Sequence, residues 1–207
     1  FTQPHAIIEK NGLRVGVIGI IGRDAMSVVV PSLVSELEFR DPEPYVRASV
    51  AELEPRVDLV VVLAHQGRTG PMQTDQEAYP ELWRDFDEDI RLTTAVRGID
   101  VFLGGHAHRG IDPPYVNPKT GTIIVQTFGF GTRVAMLRLR VDTSTGEVVA
   151  HEGELMVPFA ADHAADPVME EKMDAYKARF STEIETVVGR LQARLVRRYN
   201  EESPLGS

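Results

Sequence analysis

The stretch FLGGHAHRG, Phe102–Gly110, places two of the six histidines of this 207-residue chain one residue apart, directly after an apolar run and between glycines. A third, His65, closes another apolar run, VDLVVVLAH (57–65). Neutral imidazole is the commonest nitrogen ligand for zinc and similar divalent ions. In extended backbone, residues i and i+2 project to the same side, so the spacing predicts that His106 and His108 face one cluster. Gly104, Gly105 and Gly110 relieve crowding and tolerate unusual dihedrals beside it. With His65 on a second strand end, the three imidazoles read as a cation site. The chain has no cysteine, so any metal it holds must be bound through nitrogen and oxygen.

The other histidines read as structural or solvated. His5 lies in an N-terminal Pro-containing segment, His151 in a strand among charged neighbours, and His163 in a loop entering a helix. Asp58 and Asp100 open their strands and so fall at the end opposite the histidines, while DFDEDI (85–90) reads as a solvated helix face. None of these offers the bridging carboxylate that holds two ions about 3.5–4 Å apart in two-metal sites.

The elements that must position the histidines follow from hydrophobic patterning. LRVGVIGI (13–20), VDLVVVLAH (57–65) and IDVFLGG (99–105) are apolar on successive residues, as in parallel strands buried on both faces. His65 and His106 then sit at C-terminal strand ends, where open α/β sheets collect ligand-binding groups. DPEPYVRASVAELEP (41–55) carries Val46, Val50 and Leu53 at helical spacing and predicts a crossover helix. From Arg68 to Gly98, loop residues (RTGPMQTDQ) lead into a helix with Leu82, Phe86, Ile90 and Val96 on one face. TGPMQTDQEAYPELW is a candidate lid or a surface beside the site.

After Gly110 the pattern changes. GTIIVQTFG (121–129), RVAMLRLRVD (133–142) and EVVAHEGELMVP (147–158), separated by the turn sequences GFGT and TSTG, predict an antiparallel meander. In its second strand Leu137, Leu139 and Val141 face inward and Arg138 and Arg140 face water. FGFG (128–131) predicts a tight turn with a packed aromatic. Residues 166–198 predict a helix with Met169, Met173, Tyr176 and Phe180 on one face and Gly189 as a candidate break.

Composition limits the classes. At 43% hydrophobic residues the chain can bury one substantial core, and no run approaches the roughly 18 apolar residues of a membrane span. A formal charge of −9 argues against a nucleic-acid polymer as partner. The opening FTQPHAIIEKNG lacks Met and the pattern of a signal peptide, and reads as a processed or cut terminus.

VVLAHQG, GGHAH and GTIIVQTFGFGTRVAMLRLRVD together resemble the 5'-nucleotidase family of metallophosphoesterases, which includes UDP-sugar hydrolases and 2',3'-cyclic-nucleotide phosphodiesterases. The similarity covers nearly the whole chain: NGLRVGVIGI resembles the family's preceding strand, and RYNEESPLGS the opening of its C-terminal substrate-binding domain. The resemblance implies an α/β fold, part of a four-layer α/β/β/α sandwich. Residues 1–160 would form the C-terminal half of the catalytic domain and 161–207 a helical linker. It further implies two divalent metal ions, zinc, manganese or similar, with His65 and His106 on one and His108 on the other.

The family's D-x-H-G, G-D and G-N-H-E motifs have no match in these residues and are expected before Phe1. The chain is therefore read as a fragment without catalytic residues of its own, inactive alone, whose partner is the missing N-terminal half of the domain. The intact protein would be a periplasmic or extracellular phosphoric ester hydrolase acting on a nucleotide or another phosphoester. The reading from a different class is a non-catalytic metal-binding or interaction module that keeps half of the fold.

Overall fold

Runs of Val, Ile and Leu without polar alternation make the centre of the chain a parallel sheet. In the computed structural model, which describes residues 3–67 and 86–192, six strands lie in the order β1-β2-β3-β4-β6-β5. The strands are β1 (His5–Lys10), β2 (Leu13–Ile21), β3 (Leu59–His65), β4 (Val101–Gly104), β5 (Tyr115–Val116) and β6 (Ile123–Gln126). β2, β3, β4 and β6 run parallel to one another, and the edge strands β1 and β5 run antiparallel to β2 and β6. β1 was not foreseen. Its signal is Asn11-Gly12, whose φ values of 51° and 79° suit the two-residue turn that joins antiparallel strands.

Two helices, α1 (Glu43–Leu53) and α2 (Asp87–Ala95), cover one face of the sheet. Val46, Val50 and Leu53, the predicted stripe of α1, pack with Leu92 and Val96 against Ile18, Val62, Phe102 and Ile124. Phe102 is fully buried, which stabilises the fold by roughly 1.5–3 kcal/mol relative to leaving the ring in water. The opposite face is more open. Ile21 and Leu63 are 52% and 45% exposed there, although both continue apolar strands. Leu82 and the TGPMQTDQEAYPELW segment lie outside the described residues.

Three expectations need correction. β6 does not belong to an antiparallel meander but pairs parallel with β4, and all four of its residues are buried. A strand enclosed on both faces belongs in the parallel sheet, and the 18-residue connection from Gly105 to Thr122 gives the chain room to return in the same direction. Of the three predicted meander strands, the other two, β7 (Val134–Val141) and β8 (Val148–Met156), pair antiparallel with each other in a separate two-stranded sheet, with Arg138 and Arg140 exposed and Leu137, Leu139 and Val141 half-buried. Second, the DFDEDI face is not wholly solvated, because Asp89 is 1% exposed.

The third correction concerns the last helix. Backbone contacts divide the chain into two units at Val157/Pro158. The second contains α3 (Pro167–Ile184), whose N-cap Asp166 accepts hydrogen bonds from the Val168 and Met169 N–H groups. The helix stops at Ile184, before Gly189, and Met169, Met173 and Tyr176 are exposed. Among the described residues no helix is long and apolar enough to cross a membrane.

Candidate metal site

β3 and β4 run side by side in register, with Val61, Val62 and Leu63 opposite Val101, Phe102 and Leu103. Their C-terminal ends therefore deliver His65 and the loop after Gly104 to one place. Gln66 and His106 form a single parallel bridge that extends this pairing. His65 pairs with Ile21 across β2 and β3, so it belongs to the open face of the sheet.

The His106 Nδ1 and His65 Nε2 atoms lie 3.0 Å apart, with ring centroids separated by 4.6 Å. Two nitrogens each about 2.1 Å from one ion, at angles between octahedral and tetrahedral, stand about 3.0–3.4 Å apart. The observed separation therefore fits two ligands of one cation. On the other side of the His106 ring, Nε2 faces Asp24 Oδ2 at 3.4 Å. A carboxylate there favours the proton on Nε2 and leaves the Nδ1 lone pair turned toward His65. His106 is 6% exposed, so its orientation is fixed by packing as well. Burial, and secondarily the positive charge that His106 and His108 would carry, lower the His65 pKa below its ordinary value. The shift favours the neutral form, which is the one that binds metals.

His108 stands apart from this pair. Its ring makes an edge-on contact with Phe130, centroids 5.2 Å apart, and lies against Gly129. The expectation that both histidines of the H-x-H pair lie on extended backbone is corrected, because His106 and His108 have φ values of 76° and 54°. The Ala107 N–H donates to the Gly105 carbonyl at 3.0 Å, so the loop curls after β4 instead of continuing as a strand. Left-handed backbone is uncommon for residues other than glycine, though histidine is among those enriched there.

Asp24 was missed, although it follows the C-terminal end of β2 and the strand-end rule that singled out His65 applies to it equally. The loop that carries it lies close over β3: the Gly22 N–H donates to the His65 carbonyl at 2.8 Å, and a Cβ at Gly22 would fall 2.5 Å from Gln66 Cβ. Among the described residues, no group of three or more His, Cys, Asp or Glu side chains is arranged to hold a metal ion. The physical reason is visible at His106, where His65 and Asp24 address opposite nitrogens of one ring and so cannot share one ion with it. Among the described residues the site is a histidine pair, with His108 beyond it.

The remaining polar candidates have other surroundings. Asp58 accepts the Arg14 N–H at 2.6 Å and Asp100 accepts the Val60 N–H at 2.7 Å, both at the strand ends away from the histidines. His5 lies 3.4 Å from Glu52, and His151 and His163 are exposed. An open apolar depression of about 750 Å³, lined by Ile20, Ile21, Leu63 and Leu103 among others, reaches the site only at His65. A more polar cavity of about 530 Å³ adjoins the Asp24 side and is lined by Arg23, Asp24, Gln66, Glu88 and Arg91. FGFG does form a turn, but its two aromatics differ: Phe128 packs on Gly110, whereas Phe130 is 63% exposed beside His108.

No protein-family model matches the chain. A 5'-nucleotidase of Vibrio cholerae is 30% identical over 151 residues, which is 64% of this chain and 26% of that protein. The chain resembles the 5'-nucleotidase family of metallophosphoesterases. The endonuclease YhcR of Bacillus subtilis is 24% identical over 212 residues, covering 100% of this chain and 16% of that protein. In fold the chain is similar to the calcineurin-like phosphoesterase YfkN of Bacillus subtilis, which superposes with a TM-score of 0.61 at 18% identity, over 88% of this chain and 59% of that one. The chain thus spans a third or less of the length of these two curated relatives.

Proposed function

We propose that this chain is part of a metal-dependent phosphoester hydrolase that converts nucleotides to nucleoside and phosphate. The observation that carries the reading is the 3.0 Å opposition of His65 Nε2 and His106 Nδ1 at adjacent strand ends. In this reading His65 and His106 hold one divalent ion, zinc, manganese or similar, and His108 contributes to a second. Bound there, such ions would supply Lewis-acid polarisation of a phosphoryl oxygen and a bound water of lowered pKa. The work of this chain's residues is to hold and orient. His106 is fixed by Asp24 on one nitrogen and presents the other, while the curled backbone from Gly105 to His108 directs the two histidines to different partners.

No residue of the chain is assigned as nucleophile or general acid in this proposal. Those groups belong to the N-terminal half of the domain, as does the cover for the open sheet face. The exposed Ile21 and Leu63 support that part of the reading, because parallel sheets are ordinarily covered on both faces. Residues 1–160 are then the C-terminal half of the catalytic domain and 161–207 a linker. A periplasmic or extracellular location is part of the same proposal, and fractionation of producing cells checks it.

Elemental analysis of the purified chain after exposure to Mn²⁺ or Zn²⁺ and desalting tests the centre. The chain is expected to retain metal and His106→Ala to lose it; equal metal content in the two would show that the histidine pair is structural. Phosphate release from a nucleoside monophosphate is expected to be absent for the chain alone, and metal-dependent release by it would overturn the assignment of the catalytic groups to another segment.

A further inference from the structure

Behind the histidines lies a buried polar cluster that the hydrolase reading does not use. Asp89, on the first turn of α2, is 1% exposed. Its Oδ1 accepts from Gln66 Nε2 at 2.9 Å and its Oδ2 from Gln126 Nε2 at 3.3 Å, and both glutamines are themselves buried. The two amides tie the carboxyl to the histidine loop by separate routes. Gln66 follows His65 and bridges to His106 through the backbone. Gln126 Oε1 accepts the Arg109 N–H at 3.0 Å, directly after His108. The start of the loop is seated on the same group, since a Cβ at Gly104 would lie 2.7 Å from both Asp89 Oδ2 and Gln126 Nε2.

The direction of one of these bonds is fixed by the backbone. A backbone N–H can only donate, so Arg109 fixes Gln126 Oε1 as the acceptor and Nε2 as the donor, and Asp89 Oδ2 must then accept. An asparagine at position 89 offers one acceptor and one donor, so it keeps the Gln126 bond only if the Gln66 amide turns to present its oxygen. Turning Gln126 to meet that donor would aim its Nε2 at the Arg109 N–H. Burying an acid costs more than burying an apolar side chain of the same size, so what this arrangement gains is geometry.

We propose that Asp89 is a positioning residue that sets the placement of the Gly104–Arg109 loop, and through it the opposition of the His106 and His65 rings and their affinity for a divalent cation. The cation part rests on the function proposed above; the placement of the rings does not.

The test compares Asp89→Asn with Asp100→Asn in the whole chain. Asp100 is a half-buried acid of the same sheet that accepts a backbone N–H at the opposite strand ends, so Asp100→Asn removes a carboxyl of similar setting without touching the loop. Long-range ¹H–¹⁵N spectra of the imidazoles report tautomer and surroundings, and calorimetry with Zn²⁺ alone reports affinity. Asp89→Asn is expected to move the His65 and His106 ring resonances and to weaken Zn²⁺ binding about tenfold or more, the usual effect of removing an outer support of a metal ligand. Asp100→Asn is expected to leave the rings in place. Unmoved rings in Asp89→Asn, or equal movement in Asp100→Asn, would overturn the proposal. If the unsubstituted chain binds no Zn²⁺, the metal reading fails and the ring resonances alone decide this one. If Asp89→Asn does not fold, Gln126→Met removes the Gln126 route, its bond to Asp89 and its bond from Arg109 together, leaves the Gln66 route in place, and is judged by the same resonances.

Discussion

Asp89→Asn also has a consequence for stability that can be worked from its surroundings. Burial raises the Asp89 pKa from its ordinary 3.8 to about 7; the amides of Gln66 and Gln126 oppose the rise, and the neighbouring Glu88 adds to it. In the unfolded chain the same carboxyl ionises near pH 4. Between about pH 4 and pH 7 the folded protein therefore holds a proton that the unfolded chain has released. Stability from this group is complete below that window and is lost as pH rises through it. A displacement of about three pH units corresponds to roughly 4 kcal/mol, an upper figure for one buried group. Asparagine does not titrate, and every other group is common to both proteins. The stability of Asp89→Asn minus that of the unsubstituted chain should thus increase by up to about 4 kcal/mol from pH 4 to pH 8, whatever constant offset the amide introduces. Denaturant unfolding of both proteins across that range measures it. A difference that stays flat, or that falls with pH, would show that the two amide donors outweigh burial and that Asp89 is an ordinary ionised carboxylate.

Phe102→Ala removes the largest fully buried side chain among the described residues and should cost about 3–5 kcal/mol by calorimetry or denaturant unfolding; a loss below about 1 kcal/mol would mean that the core collapses around the gap. Gly110→Ala places a Cβ 2.1 Å from the Phe128 ring, so a destabilisation of about 1–3 kcal/mol and an altered near-ultraviolet dichroism are expected, and an unchanged melting curve would contradict that packing.

Much of the fold is legible along the chain because burial on both faces leaves a local mark. The uninterrupted apolar runs of β2 and β3 announce interior strands, and the spacing of Val46, Val50 and Leu53 announces the face that α1 turns to the sheet. β6 was harder to place. IIVQ reads the same in a meander and in a parallel sheet, and only its pairing with β4 decides between them. The acidic start of α2 misled for a related reason. A helix whose first turn carries Asp87, Glu88 and Asp89 looks solvated throughout, yet one of the three turns inward to amides that are 23 and 37 residues away in sequence.

The same division holds at the candidate site. The sequence alone determined that His65 ends one strand, that His106 and His108 follow another, and that any cation must be bound without thiolate, since residue type and strand position are local properties. Tertiary structure alone decided which nitrogen of His106 meets His65 and which meets Asp24, that the loop curls through left-handed backbone, and that Asp89 joins β3, β6 and the loop from behind. Hydrogen-bond direction and ring orientation depend on groups that only the folded chain brings within about 3 Å of one another, and no local spacing records them.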